Sequence, residues 1–114
     1  MKKFLAILLL SISTLSCEKD KFNSNKDIPD WLSSQIALLE QEIKSNPSTL
    51  TVYSAWMRYE WKNAYYFEFI EPPRSYRFLP KDINGNNLNI ADPIYSDYEK
   101  EKRCMIYIWK GPKY

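Results

Sequence analysis

Residues 51–70 read TVYSAWMRYEWKNAYYFEFI, and the way this stretch folds decides the architecture of the chain. Aromatic and β-branched side chains dominate it, with polar residues set between them, the composition of paired strands and not of a helix. Residues 51–61 and 65–70 read as the arms of an antiparallel hairpin joined by Lys62, Asn63 and Ala64. That three-residue loop opposes Trp61 to Tyr65, Tyr59 to Phe67 and Met57 to Phe69, gathering six large side chains on one face. Arg58 and Glu68 then oppose each other on the other face. A two-residue loop sets Met57 against Glu68 and mixes the faces, so the pattern favours the longer one. Pro72 and Pro73 end the second arm, because proline cannot donate to a sheet ladder.

Upstream of the hairpin the period changes from two to between three and four. Ile28, Trp31 or Leu32, Ile36, Leu39 and Ile43 fall on one helical face, with Asp27 as the expected cap, Pro29 in the first turn, and Asn46 and Pro47 as the stop. The polar face carries Asp30, Glu40 and Glu42, which suits packing on a protein core better than lying on a membrane. Downstream, residues 76–79 and 88–90 flank Asn84 and Gly85, the strongest short hairpin signal in the chain. Residues 92–103 are highly charged and read as a loop or a short helix. Residues 104–110 alternate large side chains on both faces, as a central strand does. The expected fold is therefore α+β: one N-terminal helix packed on an antiparallel sheet of about four to five strands.

The chain contains no histidine, which removes Ser-His-Asp and Cys-His catalysis and the commonest zinc ligand together. No catalytic residue, metal site or cofactor is assigned. Asp82, Asn84 and Asn86 stand at alternate positions as calcium ligands do, but the glycine and glutamate of a calcium loop are missing, and a hairpin turn is the simpler reading. Glu60, Glu68 and Glu71 could suggest a glycosidase pair, yet Glu68 facing Arg58 stays ionised and unfit as an acid. Arg74, Arg77 and Lys81 among aromatics do not amount to a nucleic-acid surface in a chain of balanced charge. With the core supplied by the other face, Trp56, Tyr66 and Ile70 remain as a candidate binding patch, since partly exposed aromatics give contact area at small entropic cost.

The N-terminus explains that balance. Lys2 and Lys3 precede an apolar run over residues 4–12, too short to span a bilayer, and then Ser13, Thr14, Leu15, Ser16 and Cys17. Removal of the two lysines leaves 14 basic residues against 14 acidic ones. The segment resembles a bacterial lipoprotein signal, with a small residue, Ser16, before the cysteine and the leucine one place later than usual. The resemblance implies a signal peptide over residues 1–16, cleavage after Ser16 and lipidation of Cys17. Residues 17–27 are polar and read as a tether, and residues 28–114 as a single globular domain. With Cys17 acylated, Cys104 is left as a lone thiol and no internal disulfide forms.

With its Ile28-Pro29-Asp30-Trp31-Leu32 helix start and its Asp82-Ile83-Asn84-Gly85-Asn86 turn, the chain is similar to small lipoproteins of Bacteroidota. That resemblance implies attachment to the outer membrane, on its periplasmic or its surface face, through Cys17. It supplies no activity. The expected function is a non-enzymatic envelope module that binds a protein partner, with a glycan binder, an inhibitor of an envelope enzyme, or a hydrolase as alternatives. No nucleic-acid partner is expected.

Overall fold

The computed structural model describes residues 28–73, 78–89, 91 and 93–114. In chain order these form helix α1 (Asp30–Ser45), a 3-10 turn (Leu50–Tyr53), strands β1 (Ala55–Trp61) and β2 (Ala64–Ile70), helix α2 (Ile94–Glu101) and strand β3 (Arg103–Lys110). The sheet is antiparallel in the order β2-β1-β3. The α+β class is as expected, with three strands in place of four or five. The signal segment, Cys17, the tether and Asp27 lie outside the described residues.

Helix α1 begins two residues later than the sequence suggests. Pro29 has extended backbone and acts as the N-cap, its carbonyl accepting from Leu32 and Ser33. Proline thus closes the approach to the helix instead of sitting inside its first turn. Asn46 ends it as expected, its N–H donating to the Glu42 carbonyl at 2.8 Å. Leu32 is fully buried, and Ile28, Trp31, Ile36 and Leu39 pack beside it. Glu42 accepts from the hydroxyls of Thr49 and Thr51, which fixes the chain as it leaves the helix. Residues 51–53, expected as strand, therefore continue a 3-10 turn capped by Thr49.

The hairpin forms, but in the other register. Its loop is two residues, Lys62 and Asn63, with φ of 49° and 60°. Positive φ at both positions makes a type I′ turn, whose twist matches that of the strands it joins. Trp56 pairs with Phe69, Met57 with Glu68, Arg58 with Phe67, Tyr59 with Tyr66 and Trp61 with Ala64. A slip of one residue turns β2 over relative to β1. Segregating apolar from polar residues was the wrong criterion here, because both faces of this sheet are covered.

On the first face Trp56 and Phe67 form a buried cluster with Leu32 of α1, and Trp31 meets both rings edge-on at 5.8 Å. Arg58, on this face too, is 3% exposed and stacks on Tyr65 with 4.0 Å between guanidinium carbon and ring centre. On the second face Trp61 and Tyr66 pack against Tyr98 of α2, the three ring centres 5.4–5.6 Å apart. Tyr98 is fully buried. The charged stretch 92–103 is thus in part a helix, and its aromatic residue supplies the second core.

Strand β3 pairs irregularly with β1. Trp56 opposes Trp109 while Met57 opposes Tyr107, which leaves Ile108 as an extra residue, and a second irregularity lies between Arg58 and Glu60. Cys104, in that second region, has a φ of 60°. Beyond the strand, the N–H groups of Gly111 and Lys113 bond to the carbonyls of Ser54 and Val52 at 2.8 and 2.9 Å. A Cβ on Gly111 would sit 2.5 Å from the Val52 oxygen, so only glycine permits this approach.

Among the described residues the expected second hairpin is reduced to two bridges. Lys81 exchanges both backbone hydrogen bonds with Phe67, each 2.8 Å, and also pairs with Asn87. Pro80 contributes no N–H to extend the ladder, and residues 76, 77 and 90 of the expected arms lie outside the described residues. The turn itself is as tight as Asn84 and Gly85 imply: Gly85 has a φ of 83°, and its N–H reaches the Asp82 carbonyl at 3.0 Å.

Candidate functional site

A cleft of about 420 Å³ opens where α1, the sheet and residues 78–85 meet. Helix α1 gives it Trp31, Gln35 and Leu39 from successive turns. The sheet gives Trp56 and Phe69, a cross-strand pair whose rings lie 5.2 Å apart. Phe78 then stands edge-on to Phe69 at 4.9 Å, extending the aromatic wall. The Asp82–Asn86 turn closes one end. Trp31 donates its indole N–H to the Ile83 carbonyl at 2.9 Å, and its ring lies 3.3 Å from where a Cβ of Gly85 would stand. Glycine is thus required both for the turn and for the ring to reach it.

Two polar groups in this apolar lining stand out. The Trp56 indole N–H is buried with no hydrogen-bond partner, and the residue is only 5% exposed. An unsatisfied buried donor of this kind costs ~1–3 kcal/mol, so a buried orphan calls for an explanation. Among the described residues Lys81 is the single charged residue of the lining, and its ammonium donates to the Asn87 side-chain oxygen at 2.8 Å. An apolar concavity with a few convergent polar groups is the usual form of a small-ligand site.

The second face of the sheet is built for rigidity. Glu68, 7% exposed, accepts from the Tyr98 hydroxyl at 2.6 Å and from the Lys102 ammonium at 2.9 Å. Lys102 also reaches Glu99 at 3.2 Å and lies over the Tyr59 ring at 4.4 Å. Burial, aided by the bond to Glu68, pushes the Tyr98 phenol far above its ordinary range. Burial alone would lower Lys102, but its contacts with Glu68 and Glu99 outweigh this and hold it above the usual lysine value. At the hairpin end the Trp61 indole N–H donates to Glu101 at 3.0 Å and fastens the last turn of α2. The contacts among Glu68, Tyr98 and Lys102 commit these side chains to the fold.

These positions correct several expectations. Trp56, Tyr66 and Ile70 do not form one exposed patch: Trp56 is buried on the α1 face, whereas Tyr66 and Ile70 lie half-buried on the α2 face. Arg58 and Glu68 are not an exposed pair either, since each is buried on its own side of the sheet. The register also puts Glu60 and Glu68 on opposite faces, so these carboxylates do not converge on one bond. The Asp82 carboxylate accepts from the N–H groups of Asn84 and Asn86 at 2.9 and 3.0 Å, which spends it on shaping the turn. Cys104 is disulfide-bonded and not the lone thiol expected. The only other cysteine of the chain, Cys17, lies outside the described residues with Ser16, as do Arg74 and Arg77.

The cleft itself was not foreseen. Its one sequence signal was Asn84-Gly85 following a helix that begins with a tryptophan, which says that a turn exists and not what the turn closes over. No protein-family model, curated protein or solved structure matches this chain.

Proposed function

We propose that this chain is a lipid-anchored binding module of the bacterial cell envelope, without catalytic machinery of its own, that receives an apolar group of its partner in the aromatic cleft. The observation that carries the reading is the wall of Trp31, Trp56, Phe69 and Phe78 around a buried, unpartnered indole N–H. Such a cavity is at the small end of organic-ligand sites, which run to ~300–1,000 Å³. Anchoring rests on the signal-like N-terminus and Ser16-Cys17, because two acyl chains on one cysteine hold a protein on a bilayer where one does so only weakly. A glycan is the second reading, favoured by the amides of Gln35 and Asn84 beside the tryptophan wall.

Titration with the neutral dye Nile red tests the cleft. The folded protein should bind one equivalent, and Phe78→Ser should weaken binding about tenfold by opening the wall. Absence of saturable binding refutes the site. Fractionation tests the anchor, since Cys17→Ala should release the protein from the membrane and abolish acylation. A lipidated Cys17 carries its sulfur as a thioether, which excludes a disulfide to Cys104, so in a lipidated copy Cys104 is a thiol or is bonded to another chain. Intact mass separates these fates, and an unmodified Cys17 in the mature protein refutes the anchor.

A further inference from the structure

We infer that the ligand of the cleft is an amphipathic organic anion, with an apolar ring or chain against the aromatic wall and an anionic head on Lys81. The inference rests on the reading of the cleft as the binding site and adds the chemistry of what binds there. Lys81 is held rigidly, because its backbone N–H and C=O both bond to Phe67 at 2.8 Å. Its ammonium has the neutral Asn87 oxygen as its hydrogen-bond partner and makes no ion pair among the described residues. Among the described residues no carboxylate lines the cleft, and one oxygen of the neighbouring Asp82 carboxylate accepts from the backbone of its own turn.

A cation beside an aromatic wall, with no carboxylate in that lining among the described residues, is where an anion gains most. A charge-assisted bond is about twice as strong as a neutral one. A cationic ligand is repelled there. A neutral apolar ligand fills the wall but leaves the ammonium uncompensated, and a neutral sugar leaves the charge unused. The site thus presents the Lys81 ammonium to an oxygen-rich head and apolar surface to the rest. Carboxylate, sulfate and phosphate heads share this chemistry.

Calorimetric titration with decanoate and decan-1-ol, which share an alkyl chain and differ in charge, tests the inference at neutral pH. Decanoate should bind about tenfold more tightly than decan-1-ol, as expected for one charge-assisted contact. Lys81→Gln should bring decanoate down to the level of the alcohol without changing the alcohol, and Lys81→Arg should restore the preference. Equal affinity of the two for the native protein overturns the inference while leaving the cleft reading intact. So does a preference that survives Lys81→Gln in a variant whose melting temperature is unchanged, and so does tighter binding of neutral maltose than of decanoate. Failure of both alkyl probes to bind, together with failure of Nile red, overturns inference and cleft alike.

Discussion

Replacing Glu68 by glutamine tests the hairpin register more directly than any other change. In the observed pairing one carboxylate oxygen receives both the Tyr98 hydroxyl and the Lys102 ammonium, and the two charged side chains are only 9% and 15% exposed. Solvent screening is therefore weak, and the pair does not belong with surface ion pairs worth ~0–1 kcal/mol. Glutamine keeps an acceptor for Tyr98 but removes the charge, and a hydrogen bond to a charged group contributes ~1.5–3 kcal/mol. Glu99, 3.2 Å from Lys102, offsets part of the loss. The expected cost is about 2 kcal/mol for Glu68→Gln and about 3–4 for Glu68→Ala, which also strands the tyrosine hydroxyl; breaking a buried pair costs at most ~3–5. Urea unfolding followed by circular dichroism measures both. A double-mutant cycle with Tyr98→Phe should show a coupling of ~0.5–3 kcal/mol, as for residues in one network. If both variants lie within about 0.5 kcal/mol of the native protein and the coupling is nil, Glu68 is on the surface and the register is wrong.

Phe67→Ala should cost about 3–5 kcal/mol by the same assay, because Phe67 is fully buried between Trp31 and Trp56. Gly111→Ala should destabilise by ~2 kcal/mol or more, since its methyl meets the Val52 carbonyl and no side chain can yield there; a melting temperature equal to the native one would refute the close approach. Stability should fall in alkali. The folded state holds protons on Tyr98 and Lys102 that the unfolded chain releases from about their ordinary values of 10.0 and 10.5. Their contribution is thus fully present below pH ~10 and lost above it. Urea midpoints across that range should drop, and Tyr98→Phe should make the drop shallower; an unchanged slope would show that the phenol ionises freely in the folded protein.

The sequence was most legible where one face of an element meets the core and the other meets water. The α1 stripe of Leu32, Ile36 and Leu39 is such a case, and it packs as its spacing implies. The hairpin was legible as a hairpin, but alternation cannot choose between registers when both faces are covered. Burying Glu68 looked prohibitive because the groups that satisfy it, Tyr98 and Lys102, stand 30 and 34 residues later. The turn carried a signal that was available, since Asn63 tolerates positive φ at small cost. The cleft was beyond reach, because it depends on Lys81 docking beside Phe67 and on Trp31 closing over Gly85, contacts between segments that share no pattern.

Strand β3 leaves one consequence for the chain wherever its copies are concentrated. Among the described residues it forms an outer margin of the sheet, where unpaired N–H and C=O groups invite a neighbour to add its own strand. A straight margin would risk chains zipping into extended ribbons. The extra residue at Ile108 and the irregularity near Cys104 break the even spacing that such zipping needs, and Arg103 and Lys110 put like charges at its two ends. What looks like poor pairing within one molecule is also a means of keeping molecules apart.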